Sequence, residues 1–145
     1  MRERNARSGN AMLEFALLVP LTMVMFFGTM DFSRVFYAAI ELANAAQAGA
    51  LYGAQSVTYV SDTAGIKQAA AFEAQDLSGM TAATSNYCQC PGGAIVGCTT
   101  GTCTGYGVPQ VYVSVTTSYT FQTLFGYAVL PSAVAMTRTV VTRVQ

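Results

Sequence analysis

The stretch ARSGNAMLEFALLVPLTMVMFFGTMDFSR, residues 6–34, decides the fold of this protein. No charged residue interrupts it between Phe15 and Met30, whereas Glu14 places a carboxylate just inside the start of the apolar run. An ionised acid at the centre of a membrane costs roughly 2.5 to 3.5 kcal/mol on insertion scales, and less near the interface. Ionisable residues in such segments usually serve a function, so Glu14 is expected to have a partner.

The N-terminal segment has three interpretations. A secretory signal needs a small-residue cleavage site after its apolar core, but DFSRVFYAAIELANAAQ follows Met30 and continues a helical pattern. A buried helix of a soluble protein is disfavoured by the length of the run and its basic flank. At 1.5 Å per residue, residues 11–33 suffice to cross a hydrocarbon core of about 30 Å. Because Arg2, Arg4 and Arg7 precede the span, the N-terminus is predicted to be cytoplasmic and the C-terminal domain extracytoplasmic.

Composition limits the remaining possibilities. The 145 residues provide one small domain in addition to a membrane anchor. The net charge is zero and only 10% of residues are charged, which argues against nucleic acid as a partner. The chain has no histidine, no phosphate-binding glycine loop and no second carboxylate close to Glu14 in sequence. We therefore expect no enzymatic activity, no catalytic residues, no metal site and no cofactor.

Several motifs occur together between Ser8 and about Leu51. They are Gly9 followed by NAMLEF, an apolar run containing Pro20, then Gly28, DFSR at residues 31–34, Phe36, Tyr37, and ANAAQAGA at residues 43–50. With these motifs the segment resembles the TadE-like pseudopilins of the tight-adherence pilus system, part of the wider type IV pilin superfamily. A glycine, a glutamate five residues later and an uninterrupted apolar run are seldom found together, so the resemblance is fairly specific.

The resemblance implies a processing site and an assembly role. In this family a prepilin peptidase at the cytoplasmic face cleaves after the glycine and leaves a glutamate at position five. Carried onto this chain, Gly9 precedes the scissile bond, Asn10 becomes the new N-terminus, and Glu14, followed by Phe15, is the assembly carboxylate. The implied partners are the prepilin peptidase, other pilins and pseudopilins, the inner-membrane pilus assembly platform and membrane lipid. The implied location is the bacterial inner membrane, with incorporation into the pilus left open.

Two further features of the long helix carry predictions. Pro20 removes one backbone hydrogen bond and favours a kink, which is either a simple bend or a hinge for packing in a filament. Asp31 and Arg34 are three residues apart and adjacent on a helix surface, so they are predicted to form a modest interfacial ion pair.

The helix is predicted to continue outside the membrane through residues 34–60. One predicted face is mostly apolar and small; its members are Phe36, Ile40, Ala43, Gln47, Ala50 and Ala54. A second row, Ala45, Gly49 and Gly53, lets backbones approach closely, either against the chain's own sheet or against another subunit. A second helix is predicted over residues 63–77, capped by Ser61 or Asp62 and half covered on the surface.

The four cysteines lie in the sequence YCQCPGGAIVGCTTGTC, which has the composition of a loop over residues 88–103. A zinc site is disfavoured because the gaps between cysteines are one, seven and four residues and no histidine is present. In an oxidising compartment we expect disulfides that staple the loop. A Cys88–Cys90 bridge would be strained, which leaves two pairings open: Cys88–Cys98 with Cys90–Cys103, or Cys88–Cys103 with Cys90–Cys98.

The C-terminal third alternates with the period of half-buried strands at residues 111–121 and 133–144. The connection between them, QTLFGYAVLPS, is apolar and needs cover from the sheet, the membrane surface or a partner. The predicted class is α+β and pilin-like: a long membrane-spanning N-terminal helix continues into a small extracytoplasmic domain with an antiparallel sheet and a disulfide-stapled loop.

This organisation predicts four segments: a cleaved leader at residues 1–9, a spanning and assembly segment at 10–33, a helical continuation at 34–60 and a domain at 61–145. The function predicted with it is a minor pilin or pseudopilin, a structural subunit in the biogenesis of a tight-adherence pilus. Its length favours the minor role, because major pilins of this system are typically much shorter. The alternatives are an uncleaved single-pass membrane protein with an extracytoplasmic binding domain, or the main repeating subunit of a filament.

Overall fold

A computed structural model describes residues 4–124 and 131–145, with side chains described from residue 11 onward. The first element, helix α1, runs from Arg4 to Gly53 and is continuous through Pro20. We call residues 11–30 its membrane half and residues 31–53 its domain half. The helix ends before residue 60, the boundary predicted from sequence. Gly53 lies close to Ile66 and Val113, and a turn begins at Ala54.

A short second helix lies against the domain half of α1. A 3₁₀ turn over Tyr59–Ser61 leads into α2, which runs from Thr63 to Glu73. Asp62 caps it, because its carboxylate accepts a hydrogen bond from the backbone N–H of Gly65 at 2.9 Å. The helix ends four residues before the predicted end at residue 77, and the chain then turns so that Leu77 is buried.

Within the described residues, four antiparallel strands form the sheet. They are β1 (Thr81–Gln89), β2 (Ile95–Val96), β3 (Gln110–Gln122) and β4 (Ala133–Arg143), in the spatial order β2-β1-β3-β4. The predicted strands at 111–121 and 133–144 correspond to β3 and β4. Strand β1 was not predicted, and it shows that Cys88 belongs to a strand rather than to a loop. Its whole length pairs with β3, from Thr81 opposite Ser118 to Gln89 opposite Gln110.

One face of β3 packs on the domain half of α1. Val113, Val115 and Thr117 are fully buried, and the hydroxyl of Thr117 donates to the carbonyl of Leu42 at 2.8 Å. The helix contributes its smallest side chains to this contact, a set that comprises Ala38, Ala45, Ala46, Gly49, Ala50 and Gly53. The row at 45, 49 and 53 therefore packs against the chain's own sheet and α2.

The chain's own domain covers the predicted apolar helix face only at its distal end, where Ala50 and Ala54 are buried. Phe36 is 54% exposed and Ile40 57% exposed, whereas Leu42, on another side of the helix, is fully buried. The side of α1 that is buried is the one rich in small side chains, because alanine and glycine allow the sheet and α2 to approach the helix closely.

Two disulfides fix the membrane-distal end of the sheet. Cys88 at the end of β1 is bonded to Cys98, and Cys90 is bonded to Cys103. The predicted disulfide-stapled loop is thus present, with the first of the two pairings left open by the sequence. The α+β class with a long N-terminal helix and an antiparallel sheet is confirmed. Part of the apolar connection between β3 and β4, including Phe125, lies outside the described residues.

Candidate functional site

The membrane half of α1 presents an apolar surface that the described domain leaves bare. Met12 is 80% exposed, Phe15 70% and Phe26 67%. Among the described residues, one helix is long and apolar enough to cross a membrane, and none of its most apolar part is buried. This N-terminal helix is compatible with a single-pass membrane anchor.

Polar side chains in and just beyond this half bond to their own helix. The hydroxyl of Thr22 donates to the carbonyl of Val19 at 2.9 Å, and that of Ser33 donates to Met30 at 2.8 Å. Such bonds satisfy hydroxyls in surroundings that contain no water. Pro20 frees a carbonyl one turn earlier, and the kink predicted there stays a prediction.

Glu14 is exposed near the start of the helix and remote from the domain. It precedes Asp31 by seventeen residues, which corresponds to about 25 Å along a helix axis. Gly9 and Asn10 lie on the same helix, so the backbone places the predicted scissile bond about one and a quarter turns before Glu14. The structure does not test their predicted roles.

Asp31 stands where the helix passes from its membrane half into its domain half. Only 5% of this residue is exposed. Its Oδ1 accepts a hydrogen bond from the backbone N–H of Leu124 at 3.2 Å and lies 3.4 Å from Nη1 of Arg34. The Arg34 guanidinium also sits 5.2 Å from the centre of the Phe121 ring. The predicted pair of Asp31 with Arg34 is therefore formed within the chain; its interfacial role remains a prediction.

The bond from Leu124 to Asp31 was missed at the sequence level. It fixes the end of β3 to the helix near the predicted membrane boundary, so the β3–β4 connection starts on the membrane side of the domain. Oδ2 of Asp31 is buried and has no hydrogen-bond partner within residues 11–124 and 131–145. An aspartate directly after a spanning segment was the available signal, but its partner is 93 residues away in sequence.

Two tyrosines tie the domain half of α1 to the neighbourhood of α2. Tyr37 donates to Asp76 at 2.5 Å, and this bond is the main cause that raises the pKa of Tyr37 to about 12. Tyr52 donates to Asp62 at 2.9 Å, which raises the tyrosine pKa. The pKa of Asp62 is lowered, first by the backbone N–H of Gly65 and then by the Tyr52 hydroxyl.

The predicted site residues do not come together at one position. Within the part of the chain that the structure describes, no group of three or more histidine, cysteine, aspartate or glutamate residues is placed to hold a metal ion. The predicted site residues lie at three separate positions. Glu14 is near the start of the helix, Asp31 and Arg34 are at the junction of its two halves, and the paired cysteines are at the far end of the sheet.

Comparison with known proteins agrees with the N-terminal part of this description. No curated protein and no solved structure matches the chain. A family model described as TadE-like protein matches residues 9–51, which are all but the first few residues of α1 and its last two. That segment contains the glycine, the glutamate and the bare apolar surface, and its similarity to the family supports a TadE-like protein of the Tad pilus system.

Proposed function

We propose that the protein is a minor pilin or pseudopilin, a structural subunit needed for biogenesis of a tight-adherence pilus. The observation that carries the proposal is the apolar membrane half of α1, whose most apolar part is not buried and which carries Glu14 within the TadE-like match. The TadE-like pilin family is structural, and its members interact with other pilus components. A helix with this surface is suited to lie in lipid first and against other pilin helices later.

Cleavage after Gly9 would supply a positively charged partner for the Glu14 carboxylate. Residues 15–30 contain no basic side chain, so the span offers Glu14 no cation on its C-terminal side. Cleavage would create an α-amino group on Asn10, and in low-dielectric surroundings an ammonium and a carboxylate attract strongly. We propose that the Glu14 carboxylate of this chain meets the amine of a neighbouring pilin subunit, which offsets the cost of a buried charge during assembly.

The first experiment measures processing. Intact-mass analysis of protein extracted from the native membrane is expected to show a chain that begins at Asn10. Replacing Gly9 with valine is expected to leave the chain uncleaved, because the prepilin peptidase of the family that this segment resembles cleaves after a glycine. A native chain that still begins at Met1, while the same membranes process another pilin, contradicts the proposal and favours the uncleaved single-pass alternative.

The second experiment tests the carboxylate. Glu14→Ala is expected to insert normally and to be cleaved, yet to reduce surface piliation by at least tenfold, because the amine of the neighbouring subunit loses its counter-charge. Glu73→Ala is the matched control, since Glu73 is an exposed glutamate on α2, and piliation should stay at the wild-type level. Equal piliation in both variants would show that Glu14 has no part in assembly. If this chain is the most abundant pilin in sheared pili, the result would support the other alternative, in which the chain is the main repeating subunit.

A further inference from the structure

The face of the sheet that points away from α1 is covered with hydroxyl groups and is almost free of charge. Because Val113, Val115 and Thr117 face the helix, the alternate residues of β3 face outward. Residues 77–137 contain no acidic residue, no basic residue and no histidine. On this outer face, within residues 81–124 and 131–145, the one charged side chain is Arg143, at the corner opposite Tyr112.

A depression of about 240 Å³ lies at the membrane-proximal end of this face. Its lining includes the hydroxyl-bearing residues Thr81, Ser118, Thr120 and Thr137, together with the apolar Ala135 and Met136. The Ser118 and Thr137 hydroxyls are 3.4 Å apart, and each hydroxyl can both donate and accept. The volume is below the roughly 300 to 1,000 Å³ of clefts for drug-sized ligands, so it suits one small ring of a longer molecule.

A pair of aromatic rings lies at the other end of the same face. Tyr87 and Tyr112 stack across β1 and β3 with ring centres 5.4 Å apart and planes 12° apart. The Tyr112 hydroxyl is 3.0 Å from Oε1 of Gln110. Tyr112 and Ser118 are six positions apart along β3, which is about 20 Å. Aromatic and amide groups at this distance from a hydroxyl-lined depression are complementary to an extended ligand with alternating C–H and O–H surfaces.

We propose that this outer face binds an extended chain of an uncharged polysaccharide, with one sugar ring in the depression and others running along β3 to the tyrosine pair. Sugar hydroxyls match a surface of paired donors and acceptors, and the absence of charge between residues 77 and 137 gives an ionic ligand no partner in the depression. A second protein copy fits less well, since stable protein interfaces have an apolar buried core, whereas the exposed aliphatic side chains of this face, Ile95 and Val141, lie on opposite edge strands with hydroxyl side chains between them.

The test uses the full chain in nanodiscs against immobilised neutral glucans, mannans and galactans. Binding to at least one neutral polymer is expected, with at least tenfold weaker binding of uronic-acid polymers. The double variant Thr120→Val/Thr137→Val keeps side-chain shape but removes two hydroxyls, and it is expected to weaken binding at least tenfold. The control Thr58→Val/Thr104→Val alters two exposed threonines elsewhere and should bind like wild type.

A second variant separates a chain-long site from a single-ring site. Tyr112→Leu is expected to weaken binding of long polymers at least fivefold while leaving disaccharide binding unchanged. Lack of binding to every neutral polymer, equal binding by the Thr120→Val/Thr137→Val variant, or preference for anionic polymers or peptidoglycan would each overturn the proposal. So would a change in oligomeric state as the main effect of that variant, because the face would then be an interface between copies. None of these results depends on processing or piliation, so the proposed pilin function is tested separately.

Discussion

The two halves of α1 belong to one unbroken helix but differ in what surrounds them. In the membrane half, Met12, Leu17 and Phe26 are each more than 60% exposed, and the described domain does not cover them. In the domain half, Leu42, Ala45 and Ala50 are fully buried against the sheet and α2. Both halves are largely apolar, so hydrophobicity alone does not tell a lipid-facing segment from one that packs against protein.

Side-chain size makes the difference. Leucine, methionine and phenylalanine surround the membrane half on all sides, which suits a lipid environment that fits around any shape. The domain half has one side of alanine and glycine, and there the backbone approaches its neighbours closely. A Cβ on Gly49 would lie 3.1 Å from the carbonyl oxygen of Ile66, whereas one on Gly28 would meet nothing within 4 Å. Paired substitutions in the two halves test this difference in packing.

The largest effect is expected from matched leucines. Leu42→Ala should lower the free energy of unfolding of the domain by about 2 to 5 kcal/mol, because Leu42 is fully buried and the substitution leaves a cavity. Leu21→Ala, in the membrane half and 59% exposed, should leave domain stability unchanged. Hydrogen exchange of β3 amides in nanodiscs measures both. Equal losses in the two variants would mean that the halves are not independent environments.

A smaller effect is expected from matched glycines. Gly49→Ala crowds the Ile66 carbonyl oxygen, Val115 and Ala70, at 3.1 to 3.3 Å from the new Cβ. Overpacking costs about 1 to 3 kcal/mol and is partly offset by about 1 kcal/mol of helix propensity, so the net loss should be on the order of 1 kcal/mol. Gly28→Ala gains propensity without crowding and should not change β3 exchange. A more stable domain in the Gly49 variant would contradict close packing at this position.

The smallest effect concerns pH, and it arises in the domain half, where Tyr37 bonds to Asp76. The pKa of Tyr37 is raised from 10.0 to about 12 in the folded protein. Stabilisation by this bond is therefore complete below pH 10 and declines as pH rises from 10 towards 12, because the unfolded tyrosine ionises first. The stability difference between wild type and Tyr37→Phe should shrink over that interval. Constancy of the difference from pH 9 to 12 would show that the bond makes no contribution.

Regular patterns in the sequence were sufficient for the largest elements. The uninterrupted apolar run predicted the spanning helix, and the alternation from Val111 to Phe121 predicted β3 with its buried side. Cysteine spacing and compartment predicted the stapled loop, and spacing within DFSR predicted the pair of Asp31 with Arg34. Each of these signals is local, or depends on a single residue type.

Features that depend on distant partners were not predictable in the same way. Strand β1 reads TAATSNYCQ, whose alanine, serine and asparagine have little strand preference, and it is a strand because β3 pairs with it along its whole length. Hydrophobicity does not indicate which side of α1 the domain buries, because Phe36 and Ile40 are more hydrophobic than the buried alanines and yet are exposed. The contact of Leu124 with Asp31 depends on β3 running antiparallel to the helix, which no local pattern records.

Because α1 packs against β3, which comes much later in the sequence, the helix is synthesised before the strand that covers it. Leu42 is synthesised 75 positions before its partner Thr117, and Asp31 is synthesised 93 positions before its partner Leu124. At about 5 to 20 residues per second, a translating ribosome needs roughly 5 to 20 s to supply the later partner. For that interval the alanine-rich side of the helix has no sheet to cover it. The helix, which is compatible with a membrane anchor, is therefore synthesised before the strand that makes its domain half part of a core, and a chaperone bound at that stage would contact an uncovered helix.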